Sequence, residues 1–443
     1  MSKTIQETSF LERTFKLKEN NTNVKTEVIA GLTTFLTMVY IIFVNPDILS
    51  TTGMPWQGVF IATILASIVG TVLMGLLANY PFALAPGMGL NAFFAYSVAS
   101  KIGWQGALAL VFIEGVIFIV LSATKFRTVL INSIPMSLKA AISAGIGLFI
   151  ALIGLTGSGI VVSDPNTYVA LGDLTSPEVL TALFGLLVAA ILYAKKVRGA
   201  LLWSILAATV FGMLPGIRIS GEFTGIFAMP KWADFASTAF KLDFSQAFTF
   251  GSIGLMISMF MVDLFDTAGT LVGVSTQAGF LDKDGNLPKA GQAFMADAVA
   301  TVAGSLVGTS TTTTYVESAS GVADGGRTGL TSIVVAVLFF ISLFFSPIVR
   351  MVPSAATAPA LIIVGILMMQ NVLKIEWGNF AIALPAFLTI VAMPFTYSIA
   401  NGIGIGFISY AVLNNIVKSE TKSNWIINLI AVVFALYFIF ILK

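Results

Sequence analysis

The residues with chemistry to offer are carboxylates that interrupt apolar sequence. Of 21 Asp and Glu, those lying within apolar stretches are Glu114, Asp263, Asp266, Asp297, Glu317 and Asp324. If the stretches cross a bilayer, each acid costs about 2.5–3.5 kcal/mol or more at a helix centre, so each reads first as functional. Asp263 and Asp266 stand three apart in Met259-Phe260-Met261-Val262-Asp263-Leu264-Phe265-Asp266-Thr267-Ala268-Gly269-Thr270. That spacing puts both on one helix face, and Thr270, four residues on, extends the stripe. Two carboxylates that close resist simultaneous ionisation, so the pair can take up and release a proton. Glu317 falls in the first turn of a short helix expected to begin at Tyr315, where the macrodipole and free N–H groups favour an anion or acceptor. Asn91 holds the equivalent place in the first half of the chain and offers both a donor and an acceptor. Asp297 reads as a proton relay or as a brace. Glu114 reads as a site acid or as the partner of a polar group between helices. Asp324, beside Arg327, reads as an end-cap and ion pair. Phe93 or Phe94, next to Asn91, could stack on a flat ligand.

These acids need elements to carry them, and the composition says which. The chain is 57% hydrophobic and 10% charged over 443 residues, whereas a globular chain carries about 25% charged residues. That much apolar surface belongs in lipid, which makes the fold class an all-α polytopic membrane protein. The absence of His and Cys excludes a thiol nucleophile and metal sites built from Cys and His. It also removes imidazole as a proton carrier, and no cofactor is expected. A net charge of +2 gives no basic surface for nucleic acid.

Windows of roughly 20 apolar residues fall at 27–48, 57–79, 87–99, 104–122, 138–157, 177–194 and 199–215. They resume at 251–274, 291–307, 316–325, 328–349, 355–372, 379–396 and 400–417. Fourteen spans with a cytoplasmic N-terminus place most Lys and Arg inside, among them Lys125, Arg127, Lys139, Lys195, Lys196, Arg198, Lys283, Lys289, Arg327, Lys374, Lys418 and Lys422. Lys101, Arg218, Lys231, Lys241 and Arg350 fall outside, the asymmetry expected of a correct span count. Residues 1–25 are polar and mixed in charge, with no cleavable leader. The organisation is therefore a cytoplasmic segment (1–25), a first seven-span repeat (26–215), an extracellular connection (216–250), a second repeat (251–417) and a C-terminal segment (418–443). Within the last, the apolar run Trp425–Leu442 is left without an assigned place.

Seven spans per half make the second repeat inverted, an arrangement in which interrupted helices at matching positions point to the ligand. The interruptions fall in the third and tenth spans. Asn79-Tyr80-Pro81-Phe82-Ala83-Leu84-Ala85-Pro86-Gly87-Met88-Gly89-Leu90-Asn91 puts two prolines where a helix should continue. A helix can start at Gly87. Thr309-Ser310-Thr311-Thr312-Thr313-Thr314 is a run rich in β-branched residues that favours extended backbone. Each broken span thus reads as a short extended piece followed by a half-helix. Such backbone is tolerated at membrane depth only where protein or a water-filled cavity satisfies it.

At these residues the sequence resembles the AzgA-type purine permeases of the nucleobase–ascorbate transporter superfamily. The resemblance rests on Ala85-Pro86-Gly87-Met88-Gly89-Leu90-Asn91-Ala92-Phe93-Phe94, on Val262-Asp263-Leu264-Phe265-Asp266-Thr267-Ala268-Gly269, and on Glu317-Ser318-Ala319-Ser320-Gly321-Val322-Ala323-Asp324-Gly325-Gly326-Arg327-Thr328-Gly329. It implies a core domain (about 26–122 and 251–349) and a gate domain (about 138–215 and 355–417). It also implies proton-coupled uptake of hypoxanthine, guanine or adenine across the plasma membrane. The family's site acids carry over to Asp266 and Glu317, with Asp297 and Asn91 in support. Other branches commonly have Asn after the polar residue of span 10; here it is Ser318, which weakens a uracil, xanthine or ascorbate reading. The expected substrate contacts are Glu317, Asn91, Phe94, Thr270, Asp266 and Ser318, with the proton on Asp266, Asp297 or Asp263. The partners are a purine base, a proton and the lipid bilayer, with a homodimer left open. Two other classes were weighed. An anion exchanger or channel of the same architecture would present helix N-termini without an acid such as Glu317. An intramembrane enzyme would have little catalytic chemistry without His or Cys.

Overall fold

The computed structural model describes residues 10–123, 133–214, 216–217, 219, 225–282, 287–417 and 424–440. Of the charges that orient the chain, Lys3, Lys125, Arg127, Arg218, Lys283, Lys418 and Lys422 lie outside the described residues, as do parts of the terminal segments and of 216–250. Among the described residues, ten helical stretches are long and apolar enough to cross a membrane, and Ala200–Gly212, Phe380–Phe395 and Trp425–Ile439 are shorter apolar helices.

The chain begins with α1 (Phe10–Phe15), α2 (Val24–Met38), α3 (Ile41–Ser50) and α4 (Trp56–Leu73), the last continued by a π turn, Met74–Ala78. Strand β1 (Leu84–Pro86) leads into α5 (Met88–Ala92), a π segment (Phe93–Ala99) and α6 (Ser100–Ser122). Then come α7 (Met136–Gly157), β2 (Val161–Asp164), β3 (Tyr168–Leu171), α8 (Pro177–Ala194) and α9 (Ala200–Gly212). After the short α10 (Trp232–Ala236) and α11 (Phe244–Ala247), the second half runs α12 (Phe250–Ala278), α13 (Ala290–Val307), β4 (Thr312–Thr314), α14 (Ser318–Ala323) and α15 (Gly329–Ser342). It ends with α16 (Ser346–Arg350), α17 (Ser354–Met369), α18 (Phe380–Phe395), α19 (Ile399–Ile416) and α20 (Trp425–Phe440).

Local sequence sets many of these ends. Asn23 caps α2 by accepting from Thr26 N, and Ser176, followed by Pro177, caps α8 by accepting from Val179 N, which satisfies donors the helix leaves open. Gly279 and Gly308 end α12 and α13 in the left-handed region (φ 68° and 99°), which a Cβ would oppose. The helices form two packing groups. In one, α15 packs on α2 and α4, and α13 on α4 and α6. In the other, α7 packs on α17 and α18, α8 on α9 and α17, and α18 on α19. The C-terminal α20 packs on α19 and α12.

The all-α expectation missed one element. Between α7 and α8, β2 and β3 form an exposed hairpin around Asp164-Pro165-Asn166-Thr167, a turn sequence by composition. The N–H groups of Thr167 and Asn166 donate to Asp164 Oδ1 and hold its carboxyl below the usual carboxylate range.

Strands β1 and β4, one from each half of the chain, pair antiparallel with Leu84 opposite Thr314, Ala85 opposite Thr313 and Pro86 opposite Thr312. All six residues are buried. A two-stranded ribbon has two open edges, and inside a membrane those backbone groups must find partners. Hydroxyls supply them. Thr71 Oγ1 both accepts from Leu84 N (2.9 Å) and donates to Leu84 O (3.0 Å), standing in for a third strand. Ser318 Oγ accepts from Ala83 N (2.9 Å), and Thr301 Oγ1 donates to Thr312 O (2.9 Å). At the ends, Tyr315 N donates to Ala83 O (2.9 Å) and Gly87 N to Thr311 O (3.1 Å).

Candidate functional site

Helix α14 begins at Ser318, with Glu317 as its N-cap, rather than at Tyr315. Tyr315 stays in the extended piece because its N–H completes the ribbon and its hydroxyl donates to Pro86 O at 2.6 Å. Glu317 makes no side-chain cap to its own helix; its Oε1 accepts from the Tyr40 hydroxyl at 2.7 Å. The residue lines a cavity of about 590 Å³ with Thr37, Tyr193, Arg198, Ser320 and Gln370 among the other walls. One side of that cavity is the Lys196–Leu201 stretch joining α8 to α9.

Asp266, just past the middle of α12, is half-buried. It follows Asp263 by three residues on the same helix, one turn along one face. It lies beside the head of α5: a Cβ built on Gly87 would sit 3.6 Å from its Oδ2. Asp263 and Asp297 are fully enclosed and meet through Thr267. The Thr267 hydroxyl stands 3.0 Å from Asp263 Oδ1, 3.2 and 3.1 Å from the Asp297 oxygens, and 2.8 Å from Thr313 Oγ1. One hydroxyl carries one proton, so it can donate to a single member of this set at a time. The cluster ties α12 and α13 to β4.

The other candidate residues lie elsewhere. Asn91 is fully buried; its Oδ1 accepts from Ser310 Oγ at 2.5 Å and its Nδ2 donates to Pro86 O at 3.4 Å. It therefore braces one extended segment against the other. It is also the fourth residue of α5, not the counterpart of an N-cap. Ser318 spends its hydroxyl on Ala83 N. Phe93 and Phe94 have no exposed surface and belong to the apolar core, and the aromatic on the cavity wall is Tyr193. Thr270 is half-buried one turn beyond Asp266. Glu114 Oε2 accepts from Thr311 Oγ1 at 2.8 Å, the helix-bracing alternative.

The Asp324–Arg327 pairing is corrected. Asp324 pairs with Arg198 and accepts from Thr33 Oγ1 at 2.6 Å, while Arg327 donates to Val322 O and Gly326 O. Arg327 thus turns back on the loop that follows α14. Two further acids, Glu27 fully buried and Asp47 half-buried, are held in the first apolar window. Glu27 accepts from the backbone of Arg327, Thr328 and Thr331 and from Thr331 Oγ1 (2.6 Å), an anion at the head of α15. Asp47 accepts from Trp56 Nε1 (2.9 Å) and Thr357 Oγ1 (3.2 Å). Both lie inside the apolar window 27–48, so the rule that singled out the other acids applies to them too. Tyr40 and Thr267 carried no comparable signal.

The transmembrane domain of a cyanobacterial bicarbonate transporter, BicA, has the same fold at a TM-score of 0.64 and 16% identity, over 86% of this chain and 97% of that one. The guanine/hypoxanthine permease PbuO of Bacillus subtilis is 47% identical over 96% of this chain and 98% of its own. The adenine permease AdeQ of Escherichia coli is 43% identical over 98% and 97%. Residues 25–405 match the Permease family as a whole. A match of that extent, together with relatives aligned nearly end to end, means that the chain belongs to the Permease family.

Proposed function

We propose that the protein carries purine nucleobases (hypoxanthine, guanine or adenine) inward across the plasma membrane, coupled to protons, by alternating access. It is a multi-pass transporter and not an enzyme. In this reading it has fourteen spans as a seven-plus-seven inverted repeat with a cytoplasmic N-terminus. The ribbon-bearing packing group is the core and the α7–α9, α17–α19 group the gate. The observation that carries the proposal is Glu317: a carboxylate held at the head of a half-helix, facing a cavity of purine-holding size. A purine is flat, uncharged and edged with N–H donors. A carboxylate accepts such donors through charge-assisted hydrogen bonds, stronger than neutral ones.

Asp266 is the proton carrier. A carrier must meet water from each side in turn, and Asp266 is half-buried where Asp263 and Asp297 are fully enclosed. In this reading protonating Asp266 neutralises an acid beside the head of α5, and proton and base are carried together. The core then moves against the gate, and both leave on the cytoplasmic side. The fold is shared with a bicarbonate transporter, but an acid at the head of the half-helix is an acceptor suited to a donor-bearing base rather than to an anion.

The test is uptake of radiolabelled hypoxanthine into vesicles with an imposed inward proton gradient. Asp266→Asn should abolish accumulation above equilibrium while leaving exchange of base for base. Accumulation by Asp266→Asn at the wild-type level would overturn the assignment of the proton.

A further inference from the structure

Tyr40 stands where α2 has ended and α3 begins, with 1% of its surface exposed. Its hydroxyl donates to Glu317 Oε1 at 2.7 Å, so the first span holds this residue by its side chain. Glu317 makes no side-chain bond to the N–H groups of its own helix; its Oε1 is bonded to the Tyr40 phenol instead.

We infer that Tyr40 is a positioning residue that sets which purine edge Glu317 accepts. Its hydroxyl commits one carboxylate oxygen, Oε1, to the protein, and the residue itself lines the cavity, so Oε2 is the oxygen this inference offers to the ligand. The inference rests on the reading of Glu317 as the substrate acceptor. Two consequences follow from the chemistry. First, a held carboxylate loses little rotamer freedom on binding, so affinity gains from order already present. Second, the two oxygens no longer act as an open fork. Hypoxanthine presents a single ring N–H on its pyrimidine edge and needs one acceptor. Guanine presents the ring N–H and an amino group side by side and is matched by two free oxygens. Removing the phenol hydroxyl frees Oε1, which only guanine can use.

The experiment measures binding of radiolabelled hypoxanthine and guanine to the purified full chain, for wild type, Tyr40→Phe and Glu317→Gln, with uptake rates alongside. Tyr40→Phe should raise the hypoxanthine Kd about tenfold, the scale of one hydrogen bond to a charged group. The guanine Kd should rise markedly less, and the maximal uptake rate should stay within about twofold. A packing defect would weaken both bases equally, so equal changes, or none, would overturn the role of Tyr40. Failure of the underlying reading looks different. If Glu317→Gln bound both bases as wild type does, Glu317 would not be the acceptor and the inference would fall with it. If Glu317→Gln lost affinity while Tyr40→Phe did not, only the Tyr40 inference would fall.

Discussion

In the first broken span, β1 runs into α5 and ends its polar business in Asn91. In the second, β4 runs through Tyr315 into α14, whose N-cap is Glu317. The two strands are the same length and pair residue for residue, yet the polar side chains that follow them have opposite fates. Asn91 is enclosed and bonded to Ser310 and Pro86, so its donors and acceptor are consumed in holding the ribbon. Glu317 has one oxygen held by Tyr40 and stands on the cavity wall. Similar backbone in both halves thus serves two purposes, a frame on one side and a ligand contact on the other. The symmetry of the chain trace does not extend to the chemistry.

This contrast can be broken most directly at its two polar ends. Glu317→Gln should weaken purine binding by about a hundredfold, the upper range for a hydrogen bond between a charged and a neutral group, with little change in thermal stability. Asn91→Leu should do the reverse. It takes away the acceptor of the Ser310 hydroxyl, at about 1–3 kcal/mol for an unsatisfied buried group, while the protein that stays folded keeps its purine affinity. Equilibrium binding together with thermal unfolding in detergent separates the two. Loss of affinity at unchanged stability in Asn91→Leu would make Asn91 a ligand contact and end the contrast. A finer test uses glycines. A Cβ at Gly87 would come within 2.6 Å of Thr313 Cγ2 across the ribbon, so Gly87→Ala should cost about 1–3 kcal/mol through overpacking. Gly269, on α12, meets nothing within 4 Å, and Gly269→Ala should shift stability by at most about 1 kcal/mol. Similar unfolding midpoints for the two variants would show that the ribbon is slacker than its hydrogen bonds indicate.

Much of the frame was legible beforehand. Pro81 and Pro86 flanked by glycines, and a run of hydroxylated, β-branched residues, disfavour a continuous helix, so the extended pieces at 84–86 and 312–314 could be placed from their own residues, although α18 continues through Pro385 and Pro394. The hairpin at 161–171 is signalled only by the short turn sequence Asp164-Pro165-Asn166 among longer apolar signals. Glu27 and Asp47 sit near the two ends of a single apolar window, where an acid stands out least. The start of α14 was not legible, because Tyr315 is kept extended by a carbonyl of Ala83, more than two hundred residues away in sequence.

By itself, the sequence determined that the chain belongs in a membrane, that any coupled proton must ride on a carboxylate, and which few carboxylates were candidates. Those conclusions follow from composition and spacing, which are local properties. Only the tertiary structure decided what each polar group does. Whether Asn91 or Glu317 is free for a ligand depends on which hydroxyl or carbonyl the other half of the chain brings within about 3 Å, and no local pattern encodes that distance. The pairing of Asp324 with Arg198 in place of Arg327, and of Glu317 with Tyr40, was decided in the same way, by packing between segments far apart in sequence.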